Sequence, residues 1–316
     1  MRIAPPTEDA ISSLLFSHFP KARIGGIRFV GRGSVNEVYG ANVNGRELVV
    51  RLADVRYRSG EHEKEAWCFA QARTAGIPGP EAIALGSDDQ YVYMIQEFVK
   101  GVRGDDGTVD SLKLWKTLGR YAKIIHGIET SDFPERNGEK DDWAEADWKR
   151  FLDYGLASLT PDDRLIELEV YTLEQQDGIR AIFEGIQSLS FKFSLVHDDL
   201  SEKNVIISAD GVVSLFDWGC ACVSVSPHVE MLNILRWFPP EDGRFQAFLA
   251  GYEFTEAEFA SLYPQIQDYA LLKSFDLVRW AIDRRPEEIE TYAEDAKRTL
   301  QAHSTSSLVL YRIETE

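Results

Sequence analysis

The chain has 316 residues, 44% hydrophobic and 27% charged, with a formal net charge of −18 at pH 7. A single core usually stops growing at roughly 250 to 300 residues, so two lobes are expected, and the composition excludes wholesale disorder. Residues 1–100 hold 12 basic and 12 acidic side chains while residues 101–316 hold 22 and 40, a field that argues against nucleic acid or anionic membrane as partner and concentrates a cationic small molecule.

The start, "MRIAPPTEDAISSLL", lacks a basic run followed by an apolar signal core, and no apolar stretch reaches the ~20 residues of a membrane span, so the cytoplasm is the expected compartment. The segments 27–30, 35–43, 46–53, 80–86 and 91–99 are rich in Val, Ile and Tyr and bounded by turn residues, which predicts strands. Between the third and fourth, "EHEKEAWCFAQARTAG" has helical apolar spacing and ends at Gly76 before Pro78. The first hundred residues therefore read as an antiparallel sheet with one helix. Gly101, Gly104 and Gly107 mark a hinge to a second region, 101–316, in which periodicity predicts helices over 111–128, 143–159, 165–189, 242–252, 263–285 and 286–300. Cys68, Cys220 and Cys222 have neither disulfide-framework nor zinc spacing and read as reduced thiols.

One β-like island interrupts the helices. "LVHDDLSEKNVII" (195–207) leads through "SADG" to "VVSLFDW" (212–218), and Asp210-Gly211 is a hairpin signal. A two-residue turn there sets Ala209 opposite Val212 and Asn204 opposite Asp217. Opposed side chains have Cβ atoms ~4.5 to 5.5 Å apart, so an amide oxygen and a carboxylate converge as ligands suited to Mg²⁺. Asp199, five residues ahead of Asn204, is placed to take a proton from an attacking hydroxyl. Asp198 and Asp199 point to opposite sides of an extended chain, so only one faces the site. His197 reads as a packed histidine bracing the loop. Asp268, Asp276 and Asp283 read as solvent-facing carboxylates, and Trp237, Phe238, Tyr252 and Trp280 as core.

The constellation His197-x-Asp199-x-x-x-x-Asn204, with Asp217 in "LFDWG" 13 residues later, resembles the signature of the aminoglycoside phosphotransferase family and its choline-kinase-like relatives. The resemblance implies an α+β, protein-kinase-like fold of two lobes: a nucleotide-binding lobe (1–100), with an antiparallel sheet and one helix, and a mainly helical catalytic and acceptor-binding lobe (101–316). It implies Asp199 as catalytic base and Asn204 with Asp217 as Mg²⁺ ligands. "GRGSVNEVY" resembles the family's nucleotide-covering loop, which points to Gly31, Gly33 and Ser34 as phosphate neighbours. Glu65 resembles the helix glutamate that pairs with a strand lysine; here that strand position is Arg51, which keeps the charge but not the geometry of lysine. Adenine is expected against the backbone near Glu97 to Val99. The "SVSPHVE" stretch (224–230) departs from the family's G-D-P-x-x-D. The implied activity is Mg²⁺-dependent transfer of phosphate from ATP or GTP to a hydroxyl of a cationic acceptor, an aminoglycoside-type antibiotic such as hygromycin B. The alternatives are a kinase of a cationic metabolite resembling choline or homoserine, or a nucleotide-binding module without transfer.

Overall fold

A computed structural model describes residues 7–33, 36–56, 60–134 and 143–305. The chain divides into two compact units that interleave in sequence. The described part of the first covers residues within 7–109, 131–134 and 201–221; that of the second covers 110–130, 143–200 and 222–305.

The first unit opens with a helix, α1 (Glu8–His18), capped by the Thr7 hydroxyl accepting from the Ala10 N–H. Strands β1 (Ile24–Arg32), β2 (Glu37–Val43) and β3 (Arg46–Asp54) follow, then α2 (Glu61–Thr74), β4 (Ala82–Ser87) and β5 (Tyr91–Glu97). The five strands form one antiparallel sheet in the order β1-β2-β3-β5-β4. Alternation along β3 gives the sheet two functions: Leu48, Val50 and Leu52 are buried in a cluster with Ile11 and Leu15 of α1, while Arg51 points the other way. The α1 helix lies outside the sequence expectation, because only two of its residues, Ile11 and Leu15, are buried.

A second, three-stranded sheet completes this unit: β6 (Val102–Arg103), β8 (Val205–Ile207) and β9 (Val213–Leu215), in the order β6-β8-β9. It is tied down by the Leu215 N–H, which donates to Pro78 O at 2.8 Å. The expected hinge glycine Gly101 is instead wedged against this sheet: a Cβ there would lie 2.3 Å from Ile207 O, so only glycine fits. The change of unit comes after Val109.

The second unit contains α3 (Ser111–Ile125), α4 (Trp143–Ala157), α5 (Arg164–Glu167), α6 (Gln176–Gln187), a two-stranded ribbon of β7 (Lys192–Val196) and β10 (Cys222–Ser226), then α7 (His228–Leu235), α8 (Gly243–Tyr252), α9 (Glu256–Arg284) and α10 (Ile289–Ser304). Leu152, Phe183, Leu271, Phe275 and Ala296 anchor a core shared by α4, α6, α9 and α10. The single helix expected over 165–189 is broken. Glu169 takes φ 56 after α5, Val170 and Tyr171 are buried, and Thr172 restarts the chain with a capping box to Gln175. Val170, Tyr171 and Thr172 are weak helix formers, and the Tyr171 hydroxyl donates to Asp163 at 2.8 Å, which fixes the turn. The same carboxylate receives Arg279 at 2.6 Å, a pair whose side chains are 7% and 4% exposed. Trp237 and Trp280, expected in the core, are 47% and 40% exposed.

Candidate active site

In the first unit, Arg51 is carried on the face of β3 away from α1 and meets Glu65 of α2. Its guanidinium grips the carboxylate with both terminal nitrogens, Nη2 to Oε1 at 3.0 Å and Nη1 to Oε2. The side chains are 11% and 2% exposed. Burial pushes the Glu65 carboxyl up, opposed by the adjoining Arg51 charge. The Asp217 carboxylate, 49% exposed, lies 3.8 Å from Arg51 Nη2. Asp217 adopts φ 62 and is followed by a single helical turn, Trp218–Cys220, with Trp218 fully buried. Lys64, next to Glu65 and itself buried, donates to Gly219 O at 3.1 Å. The helix is therefore tied to the Asp217 segment directly, through a residue that sequence reading passed over in favour of Glu65.

The hairpin differs from expectation by one residue. Opposed pairs are Val205 with Leu215, Ile206 with Ser214 and Ile207 with Val213. The turn has three residues, because Gly211 sits at φ 82 and donates to Ser208 O at 2.9 Å, while Ser208 N–H donates to Val212 O at 3.0 Å. Asn204 accordingly faces Phe216, whose N–H donates to Asn204 O at 3.1 Å. Asp217 is one step further on, and its carboxylate is directed toward Arg51. Asn204 is 6% exposed. Among the described residues no group of three or more His, Cys, Asp or Glu side chains forms a metal cluster. One amide and one accessible carboxylate are groups of the kind that suit Mg²⁺ completed by water and phosphate oxygens rather than a cage of protein ligands.

The glycine-rich segment is only partly loop. Gly31 belongs to β1 and pairs with Val38, contrary to its expected place in the turn, because the ladder runs on to Arg32 opposite Glu37. Gly33 follows the strand, its N–H donating to Asn36 O at 2.8 Å, and Ser34 lies outside the described residues. A Cβ at Gly31 would meet nothing within 4 Å, so this backbone is open. Glu97 ends β5 with its carboxylate bound to Arg46 at 2.5 Å and Arg73 at 3.5 Å, which makes the side chain a clamp on the sheet. Val99 lies two residues past the strand and is half-buried.

The loop after β7, in the second unit, sorts the two neighbouring aspartates. Asp198 turns inward at φ 61, its N–H donating to Glu230 Oε1 at 2.7 Å and its carboxylate accepting from Asn233 Nδ2 at 2.7 Å. Asp199 is exposed, and His197 is fully buried, as its packed reading requires. Glu230 of α7 is 1% exposed, and burial, with Asp198 and Asp199 nearby, pushes its carboxyl up to about 8. It stands at the end of the divergent "SVSPHVE" stretch, where sequence reading saw a departure and not the anchor of the loop.

A model of the phosphotransferase enzyme family matches residues 26–269. None of the curated proteins matches the chain. Among solved structures, aminoglycoside phosphotransferase APH(4)-Ia superposes with a TM-score of 0.64 at 16% identity, covering 96% of this chain and 100% of its own. Spectinomycin phosphotransferase APH(9)-Ia, solved with ADP and spectinomycin, gives 0.59 at 14% identity over 95% and 99%. The gentamicin complex of APH(2")-IIa gives 0.60 at 16% identity over 95% and 99%. These likenesses establish the protein-kinase-like fold.

Proposed function

Because this chain belongs to the phosphotransferase enzyme family, we propose that it moves the γ-phosphate of ATP or GTP to a hydroxyl of a small, ammonium-bearing acceptor. The observation that carries this reading is the buried Arg51–Glu65 pair beside Asp217, a fixed cation next to an available carboxylate on a chain matched over residues 26–269. Arg51, held in place by Glu65, neutralises phosphate charge. The open backbone at Gly31 and Gly33, with Ser34, covers the phosphates, and the backbone from Glu97 to Val99 receives the base. Asn204 and Asp217 would hold Mg²⁺, which supplies charge neutralisation along the triphosphate.

Asp199 receives the proton of the acceptor hydroxyl as its oxygen bonds to the γ-phosphorus. The bond from that phosphorus to the β–γ bridging oxygen breaks, and the nucleoside diphosphate leaves. Asp199 and Asn204 lie on one stretch of chain, five residues apart, and Glu230 holds that stretch by the Asp198 N–H. Rate arises from positioning and charge neutralisation more than from covalent chemistry. In this division of labour the first unit, with the 201–221 segment added to the expected 1–100, handles nucleotide, and the second handles acceptor. The acceptor is an aminoglycoside-type antibiotic such as hygromycin B, inactivated in the cytoplasm, or a smaller amino-bearing metabolite, a reading favoured by the cavity described below. The test is a screen of ATP and GTP consumption, with mass-spectrometric detection of phosphorylated product, against aminoglycosides, hygromycin B, choline and homoserine. Chelation by EDTA is expected to abolish product. Nucleotide binding without product from any alcohol would leave only a binding module.

A further inference from the structure

The second unit contains a cavity of about 190 Å³ between α4, α9 and the β7–β10 ribbon. Its walls include Asp147, Trp148 and Phe151 of α4, Phe193 of β7, and Tyr269 and Lys273 of α9. The Trp148 ring lies 5.6 Å from that of Phe151 and 5.7 Å from that of Tyr269, which makes an aromatic corner. Such a corner holds an organic ammonium by cation–π attraction. Tyr269 is 8% exposed, and its hydroxyl makes no hydrogen bond with any described residue. Phe193 on the cavity wall belongs to β7, which runs on at Val196 into the loop that carries the proposed base, and Tyr269 lies within electrostatic range of Asp198 in that loop.

The charge around the cavity is balanced, unlike that of the surrounding chain. Asp147 stands on one wall and Lys273 on another. Among the described residues the ion pairs of each lie within its own helix, Asp147 with Arg150 and Lys273 with Asp276 at 3.6 Å, and the Lys273 ammonium also lies 5.6 Å from the centre of the Phe151 ring. Exposed pairs of this kind are worth about 0 to 1 kcal/mol, so a ligand displaces either partner at little cost. The Arg236 side chain, at the end of α7 and within electrostatic range of Tyr269, makes no hydrogen bond or ion pair with a described residue. A polycation meets Lys273 and Arg236 here as repulsive neighbours. The volume also falls below the roughly 300 Å³ at which drug-sized sites begin.

We propose that this cavity binds a small amphoteric acceptor: one ammonium against the aromatic corner and Asp147, one carboxylate toward Lys273, and a hydroxyl directed to the loop. The proposal rests on the phosphotransferase reading for the fate of that hydroxyl, but the binding site stands on its own residues. The test titrates L-homoserine, L-serine, choline and hygromycin B into the full chain by calorimetry, alongside product detection with ATP. An amphoteric compound is expected to bind at least tenfold tighter than choline. Lys273→Glu, a change at a side chain 38% exposed, is expected to weaken that binding at least tenfold and to turn the preference toward choline. Trp148→Leu is expected to weaken both. Tighter binding of hygromycin B, unchanged homoserine and serine affinity in Lys273→Glu, or no binding by either amino acid overturns the assignment. Amino-acid binding with no phosphorylated product sinks the transfer reading and supports the cavity; phosphorylated hygromycin B with the same KM in Lys273→Glu does the reverse.

Discussion

Replacing Glu230 by Gln isolates the one carboxyl that fastens the Asp198–Asp199 loop from behind. The side chain is fully buried, and its pKa rises from 4.5 to about 8, chiefly by burial. A carboxyl raised in the folded state binds a proton that the unfolded chain releases, so its stabilising contribution is complete below pH 4.5 and lost as pH rises through about 8. Each pKa unit corresponds to about 1.4 kcal/mol, so the whole window spans roughly 5 kcal/mol, and the part between pH 5 and 9 about 4. Gln keeps an oxygen for the Asp198 N–H and does not titrate. Urea unfolding followed by tryptophan fluorescence at pH 5, 6, 7, 8 and 9 is the assay. The difference in unfolding free energy between Glu230→Gln and the parent is expected to shift toward the variant by about 4 kcal/mol from pH 5 to pH 9. A difference that stays constant across this range refutes the view that Glu230 is neutral in the folded protein at physiological pH.

Asp199→Ala is expected to lower turnover by two to four orders of magnitude, about the usual contribution of a positioned general base, while a fluorescent ATP analogue binds with unchanged affinity. Arg51→Ala leaves Glu65 buried with its partner removed and is expected to cost about 3 to 5 kcal/mol in urea unfolding; Arg51→Ala/Glu65→Leu recovers most of that stability but not nucleotide turnover. Gly101→Ala drives a Cβ to 2.3 Å from Ile207 O and is expected to cost about 1 to 3 kcal/mol, read as a lower thermal midpoint; an unchanged midpoint would show that β6 and β8 separate freely. Asp163→Ala removes the acceptor shared by Arg279 and Tyr171 and is expected to destabilise by about 3 to 5 kcal/mol, with no specific effect on nucleotide affinity in the protein that remains folded.

The parts of the site that were legible in the sequence are those that a short family motif or a local rule marks, and the parts that were not depend on partners far along the chain. The Arg51–Glu65 pair was legible through the family resemblance, which matched Glu65 to the helix glutamate and Arg51 to its strand partner; in the structure alternation along β3 turns Arg51 to the face opposite Leu48, Val50 and Leu52, where it meets Glu65. Alternation in an extended chain predicted that Asp198 and Asp199 point apart, but Asp198 is left-handed at φ 61, so their sorting has another cause. A buried Glu230 carboxyl 32 residues away holds Asp198 N–H, and nothing in "PHVE" distinguishes such a glutamate from a solvated one. The hairpin shows the limit of a local rule. Asp-Gly serves both as the pair in a two-residue turn and as the last two positions of a three-residue turn with glycine left-handed. The choice moves every opposed pair by one and separates Asn204 from Asp217 in the ladder. The charge argument has the same weakness at larger scale. Net charge predicts the field of a lobe, but recognition depends on the side chains that line a cavity. In the second unit α4 and α9 bring one carboxylate and one ammonium to the same aromatic corner, so the acceptor that fits there differs in charge from the one the whole chain attracts.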